Sequence, residues 1–72
     1  MNAPIETLMA LQDELLGRLM AGRVRPSQLA AVHDRHVRKL TKVGYRDHEA
    51  SACFWDAVHT ARATTAQERG AA

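Results

Sequence analysis

Alanine supplies thirteen of the apolar residues in this chain of 72, leaving twenty larger apolar side chains, and that shortage of bulk limits the fold more than any other feature. A chain this short buries only a modest fraction of its surface when it folds alone. Its core has to be thin, and domains in that position usually need a disulfide, a metal or a second copy of themselves. A disulfide within the chain is excluded, because Cys53 is the only cysteine. A reducing cytoplasm is the expected setting. The N-terminal region carries Glu6 and Asp13 where a secretion signal carries basic residues, and no apolar run approaches the ~20 residues of a membrane span.

Apolar residues return at helical spacing in three stretches. Pro4 suits a first helical turn, and from Ile5 the pattern holds until Gly22 offers a stop. Ile5, Leu8, Met9, Leu11, Leu15, Leu16, Leu19 and Met20 fill roughly half the circumference of this helix, whereas packing on one neighbour needs a stripe of about 100°. The helix is therefore expected to touch two neighbours, or one neighbour and another chain. Glu14 and Arg18 are spaced as a favourable outward pair.

The segment from Arg23 to Ser27 reads as a connection, with Pro26 or Ser27 opening a second helix that runs to Gly44. Leu29, Val32, Val37, Leu40 and Val43 mark its inner face. Asp47 can cap a third helix, with Glu49 in its first turn, continuing toward Arg69. Ala50, Cys53, Phe54, Ala57, Val58 and Ala61 share one face of it, which brings neighbours close while contributing little area. The expectation is an all-α fold, either a three-helix bundle or a helical hairpin plus a long third helix, completed by homodimerisation. It forms one domain over residues 1–69, with 70–72 as a frayed tail.

Charge is uneven along the chain. Residues 1–22 carry −2, residues 23–46 carry +6 and residues 47–72 carry −2. Arg35, Arg38, Lys39 and Lys42 fall together on the outer face of the second helix, so the basic third presents a stripe of four cations. Such a face suits phosphates, which makes nucleic acid an alternative partner, although solvated basic faces are common. No zinc finger, RNA-binding aromatic signature or basic zipper accompanies it.

His33 and His36 sit among the apolar residues of the second helix, away from its charged side. With Gln12 at the centre of the first helix's arc, they are expected to form a buried polar layer that fixes how the helices pair. A zinc or haem site is the lesser alternative. Two His at i,i+3 near Cys53 offer ligands, but no CxxC, HExxH or fourth ligand supports them.

A second stripe on the third helix holds His48, Ala52, Trp55, His59, Arg62 and Ala66. His48 and His59 stand about 16 Å apart along the axis, too far to share one ion. Trp, His and Arg are favoured interface residues, so His48, Trp55, His59 and Arg62 are the expected partner or dimer surface. Catalysis finds little support: Cys53 and His59 point about 120° apart, and there is no Gly-rich phosphate loop. The sequence points to a small non-enzymatic regulator, adaptor or inhibitor, without cofactor, that binds a larger protein.

Overall fold

The computed structural model describes residues 3–70 and consists of three helices. Helix α1 spans Pro4–Met20, α2 spans Leu29–Lys42 and α3 spans Asp47–Gly70. A single 3₁₀ turn, Pro26–Gln28, leads into α2. None of these helices is long and apolar enough to cross a membrane.

Both turns close in the same way. After α1, the Arg23 amide bonds the Arg18 carbonyl and the Gly22 amide bonds that of Leu19, with Gly22 at φ +70°. After α2, Tyr45 bonds Leu40 and Gly44 bonds Thr41, with Gly44 at φ +109°. This paired pattern satisfies the last helical carbonyls and needs a left-handed residue, which glycine adopts without a Cβ penalty.

The helix starts differ from the sequence expectation. Pro26 and Ser27 lie in the 3₁₀ turn, held by a bond from the Arg25 amide to Gln28 Oε1 at 3.0 Å, and α2 begins at Leu29. Asp47 is the first residue of α3 and not its cap. The Arg46 carbonyl accepts from the Ala50 amide, while the Arg46 amide donates to Glu49 Oε1 at 3.0 Å. Glu49 reaches back one turn, and that leaves Asp47 to favour the positive helix end through its charge alone. Gly70 is the last residue of α3, and residues 71 and 72 of the expected tail lie outside the described residues.

Helix α3 organises the fold. Both α1 and α2 pack extensively on it and touch each other only slightly. The core is Leu15 from α1, Leu40 from α2, and Ala50, Phe54, Ala57, Val58 and Ala61 from α3. Phe54 and Leu40 are the largest fully buried side chains. Three of these seven residues are alanines, so α3 draws its neighbours close while filling little volume. Leu19, Leu29 and Val32 pack at the margin of the cluster. Contacts place Gln12 beside Cys53 and Leu19 beside Val58 and Ala61, so α1 and α3 run parallel. His33 meets Ser51 while Leu29 lies by Val58, so α2 runs antiparallel to both.

The wide arc of α1 is only partly used. Leu15 is buried and Leu8, Leu11, Leu16 and Leu19 are half-buried, but Ile5 and Met9 stay exposed. Glu14 and Arg18 form no ion pair with each other. Among the described residues the one such contact is between His33 and Asp34.

Candidate functional site

The polar groups of the interior form two separate connections and not one layer. Gln12 spans the gap between α1 and its neighbours. Its Nε2 donates to the Cys53 carbonyl at 2.9 Å, so its Oε1 is free to accept from His36 Nε2 at 2.6 Å. A carbonyl can only accept, which fixes the amide orientation and makes His36 the Nε2–H tautomer. His36 is buried, and burial pushes its pKa down, with Lys39 and His33 acting in the same direction and Glu14 opposing them.

His33, one turn earlier, turns toward α3. Its Nδ1 lies 3.1 Å from Asp34 Oδ1 and its Nε2 lies 2.8 Å from Ser51 Oγ. A carboxylate accepts, so Nδ1–H donates to Asp34 and Nε2 accepts the Ser51 hydroxyl proton. The two histidines thus hold opposite tautomers, each set by its partner. Both His33 nitrogens are engaged, and no group of three or more His, Cys, Asp or Glu that could hold a metal ion gathers among the described residues. Every buried side-chain polar atom among them has a partner.

Trp55 stands on the edge of α3 that faces α2, and 41 % of it is exposed. Its indole meets the Phe54 ring edge-on, with centroids 5.1 Å apart, and lies 6.1 Å from His33. Phe54 in turn takes His33 edge-on at 5.0 Å. The ring is therefore held in place from below while its outer side meets solvent. His48, His59 and Arg62 are exposed along the same stripe, with Ala52 between them and Ala66 beyond Arg62.

Beside the far end of that stripe lies an open groove of about 380 Å³, lined by Leu19, Val24, Pro26, Leu29, Val58 and Arg62, among others. It forms because α3 continues past Ala61 while α1 turns away at Gly22. Sequence periodicity gave no sign of this groove. The connection that walls it, Val24 and Pro26, belongs to no α-helix and so carries no periodic signal.

The four cations of the basic face are all exposed and, among the described residues, none forms an ion pair. Arg35 and Lys39 edge a small cavity of about 30 Å³ between α1 and α2, which Glu14 and Arg18 also line.

No family model matches the chain, and no curated protein and no solved structure is detectably similar to it.

Proposed function

We propose that this chain is a small non-enzymatic helical regulator, adaptor or inhibitor that self-associates and docks on a larger protein in a reducing compartment such as the cytoplasm. The observation that carries the reading is Trp55, 41 % exposed yet braced by Phe54 and His33. A large, rigid, amphipathic ring that loses little entropy on contact is the usual anchor of a binding hot spot, and Arg62 on the same stripe belongs to the same residue class. The adjoining groove supplies a concave apolar surface beside that anchor.

The test is capture of partners from a source lysate with the wild-type chain and with Trp55→Ala. The substitution weakens the specific complex by about 30-fold, the equivalent of about 2 kcal/mol, while helicity is kept. If no captured protein depends on Trp55, the reading falls.

A second reading is favoured by the basic face, where four exposed cations lack carboxylate partners among the described residues. It makes the chain a nucleic-acid-binding protein using Arg35, Arg38, Lys39 and Lys42. Titration with duplex DNA at two salt concentrations separates the two, since phosphate binding weakens steeply with salt. Absence of binding at low salt eliminates the second reading.

A further inference from the structure

We infer that two copies of this chain pair through an antiparallel seam on α1 made of Ile5, Met9, Leu16 and Met20. Ile5, Met9 and Met20 are three of the four large apolar residues left exposed, at 55, 61 and 38 %. Leu16 is half-buried. At about 100° per residue the four fall within about 60° of one another, to one side of Leu15 and Gln12, which face the other helices. An uncovered apolar stripe on a helix whose other side already packs asks for a further helical neighbour.

The spacing says which neighbour. Ile5 and Met20 stand equally far from the point between Gln12 and Asp13, and so do Met9 and Leu16. A two-fold axis through that point sets Ile5 against the partner's Met20 and Met9 against the partner's Leu16, so the stripe is complementary to itself. A partner of unrelated sequence requires no such symmetry. A seam along the 17 residues of α1 removes on the order of 1,000 Å² from water across both copies, at the lower edge of specific interfaces. The dimer is therefore a weak one. Exposed Asp13 flanks the seam beside the axis and meets its own symmetry mate there, which weakens the pair further and makes it sensitive to salt. The seam leaves Trp55 and its stripe free for another protein.

This inference rests on the reading that the chain self-associates, and sedimentation equilibrium across micromolar concentrations tests the two separately. The wild-type chain is expected to dimerise, and Met9→Glu to weaken the dimer by about tenfold or more with helicity kept, because it buries an unpaired charge. Ile5→Glu at the seam's end is read in the same way should Met9→Glu lose helicity. Asp13→Asn tightens the dimer, and Trp55→Ala leaves it unchanged. A wild-type chain that stays monomeric throughout overturns both the seam and self-association. A dimer that withstands the Glu substitutions, or that is lost in Trp55→Ala, overturns the seam alone.

Discussion

The two parts of α3 share a helical backbone and differ in what surrounds them. From Asp47 to Ala61 the helix is gripped by α1 on one side and α2 on the other, and it contributes Ala50, Phe54, Ala57, Val58 and Ala61 to the core. From Arg62 to Gly70 it continues without burying any residue among those whose side chains are described. Alanine and threonine serve both halves, so the difference does not come from helix propensity. It comes from the large side chains that meet there: Phe54 and Val58 of the helix itself pack with Leu15, Leu19, Leu29 and Val32, whereas Arg62 to Ala66 only edge an open groove. In so small a domain a helix extends as far as its own residues allow, whereas the core extends only as far as its neighbours supply volume.

Phe54→Ala strikes the gripped part of α3 hardest. The ring is fully buried and touches His33, His36 and Trp55, and its loss costs about 3 to 5 kcal/mol, a large share of the stability of a domain this small. A cooperative thermal melt close to that of the wild type would show that the gripped half is not the source of stability. Next is Gln12→Ala, which strips His36 of its acceptor and costs about 1 to 3 kcal/mol by denaturant unfolding.

A smaller effect follows from His36 itself. Its pKa in the fold lies below the ordinary 6.5, so as pH falls through that value the unfolded chain takes up a proton that the folded chain resists. Stability is full above about pH 6.5 and declines below it. The groups facing the imidazole are Lys39, Arg35 and His33 on α2, Glu14 and Arg18 on α1, and the Phe54 ring on α3. Melting temperature drops between pH 8 and pH 5, and His36→Gln reduces that drop. An equal drop in the variant would assign the effect to other groups. The least consequential change is truncation after Ala66, which lowers stability by about 0.5 kcal/mol or less, because the residues removed bury nothing described. A large loss on truncation would erase the distinction between the two halves.

Much of this architecture is legible in the sequence. The inner face of α3 stands out because its apolar positions keep one helical phase from Ala50 to Ala61. Gln12 and His36 are conspicuous as polar residues at the centre of apolar arcs, and facing arcs bring them to 2.6 Å. Periodicity reports polarity and not which neighbour covers a face, so it reveals that the α1 arc is too wide without revealing that Ile5 and Met9 are the part left bare. Ser51 gave no signal as the partner of His33, since a lone serine neither breaks nor extends an apolar stripe. Asp47 has the side chain of a cap, yet Arg46 holds the cap position and Glu49 accepts its amide from within the helix.

Because α1 and α2 lean on α3 and scarcely on each other, the order of synthesis matters. Translation delivers the two dependent helices first, with Leu15 and Leu40 facing no partner, and the element that joins them last. Until Phe54 has emerged, the nascent chain holds greasy surfaces with nothing to lay them on. The interval before α3 is in place is when the chain is most exposed to chaperones and proteases.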